Sequence, residues 1–234
     1  MKRIFAVVLF CMAFSVLEGA DILLAGDSTC ASYTRKDYPM TGWGQVLHEL
    51  CRDECKVYNF AMPGTSSRSF INLKYWDKLC AEIKKGDYVI IQFGHNDNKN
   101  TQNRYAEAGA LYDENLKKFA ADVRSRGGYP IFASSIARAV FKNGKVFPGA
   151  LDRYRNAVLD VGKSENVPVV DMLAITSALF NDLGRDGSSV FFMCHSNKNS
   201  NDRTHTNIDG ARKMAELFVN AAKEQKLPIA DCFK

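Results

Sequence analysis

Short apolar runs alternate along the chain with longer stretches in which apolar residues recur every three or four positions. The runs are DILLAG (21–26), KVYNFAMPG (56–64), DYVIIQFG (87–94), YPIFASSIA (129–137) and VPVVD (167–171). Their length and punctuation predict strands. DYVIIQFG is apolar on both faces, as a central parallel strand must be. Between them, GWGQVLHELC (42–51) places Trp43, Val46, Leu47 and Leu50 on one side of a helix. Further helices are predicted over 66–86, closed by Lys84, Lys85 and Gly86, and over 105–126, ended by Gly127-Gly128. Others follow over 151–166, 172–184 and 207–226. FKNGKVFPG (141–149) reads as a small hairpin or loop around Asn143-Gly144, and 185–206 as a long polar loop.

Repeated strand–helix order implies a parallel sheet covered by helices on both faces, a three-layer α/β/α domain with five strands. Ligands of such sheets bind outside the carboxyl ends of the strands. The residues directly after strands one, two and three are Gly26-Asp27-Ser28, Gly64-Thr65-Ser66-Ser67-Arg68 and Gly94-His95-Asn96-Asp97. All three groups are expected on one rim.

The first twenty residues change the picture of where the protein works. Lys2 and Arg3 precede an unbroken apolar stretch over 4–17, then small residues at Gly19-Ala20. That is the pattern of a secretory signal peptide over 1–20, too short to span a bilayer. The expected mature protein, 21–234, is secreted or periplasmic, with no membrane contact. No repeat, linker or shift in composition divides it, so a single domain is expected. The net charge of +5 comes without a Lys/Arg run, which argues against a nucleic-acid partner and leaves room for an acidic substrate. Cys30, Cys51, Cys55, Cys80, Cys194 and Cys232 remain after the leader. Cys51-x3-Cys55 has no His/Cys pair downstream to complete a zinc site, so no metal is expected. Cys51, Cys55 and Cys80 all map to the sheet edge away from the polar rim, and a bridge from Cys80 to Cys51 or Cys55 is expected.

Four segments bear on chemistry: Ser28, Gly64, Asn96, and NDRTHTN (201–207) ahead of the last helix. A serine hydroxyl needs a base to take its proton, and the base needs an orienting carboxylate. Asp202 and His205, three apart, can supply both. Acyl transfer also needs donors aimed at the developing oxyanion, for which the backbone N–H groups of Ser28 and Gly64 and the Asn96 amide are candidates. His95 and Asp97 read as support for their loop. Trp43 reads as core, and Tyr33 could stack on a sugar ring.

The order Ser…Asp…His is shared with α/β-hydrolases, but their G-x-S-x-G elbow is absent. The blocks GDST, NFAMPGTSSRS, GHND and DRTH instead resemble the SGNH (GDSL) hydrolase superfamily, over nearly the whole mature chain. GDSTCA, GTSSRSF, QFGHND and DRTHTNIDGA look most like rhamnogalacturonan acetylesterases, carbohydrate esterase family 12. The resemblance implies a flavodoxin-like fold, Ser28 as nucleophile, His205 as base, Asp202 as its orienter, and Ser28, Gly64 and Asn96 as the oxyanion hole. It implies no cofactor, an acetylated polysaccharide or oligosaccharide as substrate, and a monomer. Arg68, four residues after Gly64, is a candidate anchor for a substrate carboxylate. The alternatives are an SGNH esterase acting on acetyl-xylan, sialic acid O-acetyl groups or lipid esters, and a non-catalytic carbohydrate-binding protein.

Overall fold

The computed structural model describes residues 19–101, 103–197 and 200–234. The expected signal peptide therefore lies, apart from Gly19 and Ala20, outside the described residues. Five strands form the main sheet: β1 (Ile22–Gly26), β2 (Val57–Asn59), β3 (Tyr88–Gln92), β4 (Tyr129–Ala133) and, after a two-stranded hairpin of β5 (Phe141–Lys142) and β6 (Lys145–Val146), β7 (Val169–Val170). Their order is β2-β1-β3-β4-β7, and every neighbouring pair is parallel. This is the flavodoxin-like sheet that the alternating pattern and the resemblance predict.

Strand periodicity divides the core in two. Ile22, Leu24, Ile90, Ile131, Ala133 and Val170 face one layer; Leu23, Ala25, Val89, Ile91 and Phe132 face the other. The first layer is closed by α1 (Trp43–Val46), whose chain runs on as a 3₁₀ turn to Leu50, by α6 (Met172–Ser189) and by α8 (Ile208–Glu224). Between α6 and α8 lies the single turn α7 (Met193–Ser196). The second layer holds α2 (Ser67–Asn72), α3 (Tyr75–Glu82), α4 (Leu111–Ser125) and α5 (Leu151–Ser164). Trp43 is fully buried and stacks on Phe218 with ring centroids 5.2 Å apart, so it is core as expected.

Three helices differ most from their predicted extents. The helix expected over 66–86 breaks into α2 and α3 at Lys74, which takes a left-handed conformation (φ 65°). Phe70 and Trp76 are both buried in the second layer. Six positions apart on a regular helix they would point roughly 120° away from each other, so the break is what brings both inward. Helix α4 begins at Leu111 rather than near 105, because Ala106 N–H donates to the Asp97 carbonyl (3.0 Å) and holds the preceding turn against the rim. Helix α6 continues to Ser189 across a bend at Gly184 (φ 69°), so the predicted loop over 185–206 is partly helical.

The expected disulfide is corrected. All six described cysteines are free thiols. Cys80 packs in the layer of α3, whereas Cys51 belongs to the layer of α1 and α8, with Cys55 packed against it. The sheet stands between the proposed partners. Cys51 and Cys55 neighbour Cys232 instead.

Candidate active site

The turn after β1 presents Ser28 through buried polar bonds. Asp27 Oδ1 accepts from the Thr29 backbone N–H (2.9 Å) and from the Thr29 hydroxyl (2.8 Å), an Asx turn that fixes the backbone beside Ser28. The Thr29 hydroxyl in turn accepts from Gln92 Nε2 (2.8 Å), and Gln92 Oε1 accepts from the Trp43 indole N–H (3.0 Å). A core tryptophan is thus linked to the serine turn by three side-chain bonds. The linked groups are all buried, and each polar atom among them has a partner except Asp27 Oδ2, which has none among the described residues. Ser28 itself stays half-exposed.

The loop ahead of α8 delivers the other two groups. Asp202 Oδ1 accepts from the backbone N–H groups of Thr204 and His205, both at 2.9 Å, closing a tight turn. Asp202 Oδ2 lies 2.7 Å from His205 Nδ1, and His205 Nε2 lies 3.0 Å from Ser28 Oγ. Burial raises the Asp202 pKa, but the bonds from the His205 ring, the His205 N–H and the Thr204 N–H outweigh it and hold the carboxyl at about 2. The carboxylate is therefore ionised, and the tautomer it selects has the proton on Nδ1 and a lone pair on Nε2 facing the serine.

The second and third rim segments are stitched to the first. Met62 N–H donates to the Gly26 carbonyl (3.0 Å), and Asn96 Nδ2 donates to the Thr65 carbonyl (2.8 Å). Gly64 has φ +79°, which a side chain would strain, and its backbone N–H, like that of Ser28, bonds to no other group among the described residues. Asn96 keeps a second amide hydrogen. Three donors are therefore available on the rim that carries the hydroxyl. Asp97 supports the loop as expected: it is fully buried and accepts from the Ser67 N–H (2.9 Å), the Ser67 hydroxyl and the Gly94 N–H (3.0 Å). His95 is buried nearby, where burial first and then the charges of Arg138 and His205 push its pKa well down, so it is neutral.

Arg68 donates through Nη1 to the Tyr105 carbonyl (3.2 Å), tying α2 to the turn before α4. Tyr33 donates its hydroxyl to the Ser28 carbonyl (2.8 Å) and is half-buried. The sequence reading missed Thr29 and Gln92, and it missed Arg138 and Arg203, which flank the Asp202 turn. The strand-end rule could have found Arg138, which follows β4 as the other rim residues follow β1 to β3. A larger depression of about 710 Å³ lies at the opposite end of the sheet, around Asp21, Lys84 and Asp87, far from the hydroxyl.

A doubly wound sheet with a hydrogen-bonded Ser–His–Asp chain and free N–H donors at its carboxyl edge is a scaffold suited to acyl transfer through a serine. The model of the GDSL-like lipase/acylhydrolase family matches residues 22–218. The chain belongs to that family, and it is a carboxylic ester hydrolase by that membership. It is 34% identical over 218 residues to the rhamnogalacturonan acetylesterase RhgT of Bacillus subtilis, covering 90% of this chain and 92% of the relative. The crystal structure of YxiM from the same organism superposes with a TM-score of 0.79 at 28% identity, over 90% of this chain and 58% of that one. Axe2, an acetylxylan esterase from Geobacillus stearothermophilus, superposes with a TM-score of 0.66 at 16% identity, over 87% of this chain and 95% of its own, and so shares the fold.

Proposed function

We propose that the chain is an exported serine esterase that removes acetyl groups from the rhamnogalacturonan backbone of pectin. The observation that carries the chemistry is the continuous bond path from Asp202 Oδ2 through the His205 ring to Ser28 Oγ, at 2.7 and 3.0 Å. The substrate rests on the 34% identity to RhgT along nearly the full length of both chains. Export rests on the signal-peptide pattern over 1–20.

In this reading Ser28 Oγ attacks the acetyl carbonyl while its proton passes to His205 Nε2. The N–H groups of Ser28 and Gly64 and the Asn96 amide hold the oxyanion of the tetrahedral intermediate. Collapse of that intermediate breaks the bond to the sugar oxygen, which takes the proton back from His205. Water then attacks acetyl-Ser28, with His205 as base again, and acetate leaves. Asp202 stays ionised throughout, holding Nδ1–H and stabilising the imidazolium.

The test is acetate release from acetylated rhamnogalacturonan, acetylated xylan and p-nitrophenyl acetate, using the native protein and Ser28→Ala. Rhamnogalacturonan should be the preferred polymer, and Ser28→Ala should retain its fold and lose turnover on all three. Preference for xylan would overturn the substrate, and turnover surviving in Ser28→Ala would overturn the nucleophile.

A further inference from the structure

Next to the Asp202 turn, two chain segments meet. Ala139 N–H donates to the Arg203 carbonyl (3.0 Å), joining the segment after β4 to the loop that carries Asp202 and His205. Together with the far end of α6 they enclose a cavity of about 400 Å³ lined by Arg138, Val140, Arg185, Asn201, Asp202 and Arg203, among others. Only the His205 ring separates its Asp202 wall from Ser28 Oγ. That volume is within the range of small-ligand sites.

The charge in this cavity is unbalanced. Three guanidinium groups line it against one carboxylate, and that carboxylate is already committed to His205 and two backbone N–H groups. Among the described residues none of the three arginines forms an ion pair. Arg138 Nε and Arg203 Nη1 are buried without a hydrogen-bond partner. A buried donor left unpaired is costly, and one on a charged group more so. The other charged groups acting on Arg138 are Asp27, Asp202 and Lys99, and the neighbouring His95 is neutral. Asp27 lies beneath the serine turn, with Oδ1 taken by Thr29. Burial depresses Arg138 despite the attraction of both carboxylates, consistent with a cation short of a counter-charge.

We propose that this cavity is a carboxylate subsite that takes a uronate group of the substrate backbone. The proposal rests on the substrate reading above and adds the residues that would recognise its charge. A planar, delocalised guanidinium presents paired donors that match a carboxylate, which an ammonium cannot do. A uronate carboxylate supplies the missing acceptors while the ester stays over Ser28, so the subsite positions the polymer and takes no part in bond breaking.

The experiment compares three neutral or acidic acetylated substrates at low salt. They are a rhamnogalacturonan oligosaccharide with free carboxylates, the same oligosaccharide with its carboxyls reduced to alcohols, and an acetylated xylo-oligosaccharide. The native protein should favour the acidic oligosaccharide over its reduced form by about tenfold or more in kcat/KM, mainly through KM. That ratio should fall toward one in Arg203→Gln and, by a smaller step, in the exposed Arg185→Gln, whose surface position spares the fold. Arg138→Gln is added where its melting temperature matches the native protein's. A native ratio near one, or a ratio kept in both Arg203→Gln and Arg185→Gln, overturns the subsite while leaving rhamnogalacturonan as substrate. Hydrolysis of the xylo-oligosaccharide with neither rhamnogalacturonan form turned over would overturn the substrate reading and the subsite with it.

Discussion

Replacing Asp202 with Asn changes one atom and should reverse the direction of a proton. Asp202 Oδ1 accepts two backbone N–H bonds, and Oδ2 accepts one from His205 Nδ1. An Asn side chain has only one oxygen. Keeping that oxygen on the two backbone donors turns its NH₂ toward Nδ1, which must then be the acceptor. The ring proton moves to Nε2 and points at Ser28, and no lone pair remains to receive the hydroxyl proton. Flipping the amide would restore the tautomer but set NH₂ against two N–H donors, forfeiting two bonds of about 1 kcal/mol each before any repulsion. Loss of imidazolium stabilisation adds to this, and the combined fall in kcat should be about 10³–10⁴-fold. Stability should respond in acid as well. With its side chain a quarter exposed and its folded pKa at about 2, below the ordinary carboxylate value of about 3.9, Asp202 contributes about 2 kcal/mol above pH 4. Because the folded pKa is the lower one, that contribution is lost as pH falls from 4 toward 2. The assay is p-nitrophenyl acetate hydrolysis at pH 7, with urea unfolding followed by circular dichroism at pH 7 and pH 3. The variant should lose most of its activity with native secondary structure, and its stability deficit should shrink at pH 3. Activity within tenfold of the native protein would show that another group orients His205.

Asn96→Ala removes one of the proposed oxyanion donors and the bond to the Thr65 carbonyl; kcat should drop about 10²–10³-fold on every ester, measured by acetate release. Arg68→Ala frees the Tyr105 carbonyl and loosens α2 against the turn before α4, so it should lower activity on acidic and neutral acetates alike; a loss confined to acidic oligosaccharides would assign Arg68 to the substrate. Non-reducing peptide mapping should find no bridge from Cys80 to Cys51 or Cys55. Burial pushes the Cys51 and Cys80 thiols up to about 11, so both should alkylate more slowly at pH 8 in the native protein than in urea.

The sheet was legible because each strand is a short apolar run whose alternate residues serve opposite core layers, and that pattern survives in one dimension. The breaks in the helices were not. Lys74 carries no sequence mark of a left-handed residue, and only the need to bury both Phe70 and Trp76 explains its conformation. The disulfide expectation failed for a related reason: helix ends that lie close along a sheet edge can still sit on opposite faces, and strand order alone does not say which.

The site was legible to the extent that its bonds are local. Asp202 and His205 are joined within one turn, and the turn is closed by Asp202's own second oxygen, so three-residue spacing contains the geometry. Gln92 and Arg138 depend on segments far apart in the chain, and nothing near them in sequence reports the partner. The DRTHTNIDGA block sits between these cases. Its residues beyond His205 dock the loop rather than react. Asn207 caps α8 through the Gly210 N–H (2.9 Å) and donates to the Val190 carbonyl (2.8 Å) and the Ser196 hydroxyl (2.9 Å). Gly210 lets the Phe191 carbonyl approach so closely that a Cβ would stand 2.0 Å from its oxygen. Thr206 donates to the Thr41 carbonyl (2.6 Å), anchoring the same loop to the segment before α1. These contacts fix His205 from both sides, and they account for a block that runs six residues past its histidine: an imidazole held at 3.0 Å from a hydroxyl needs its backbone placed as firmly as its ring.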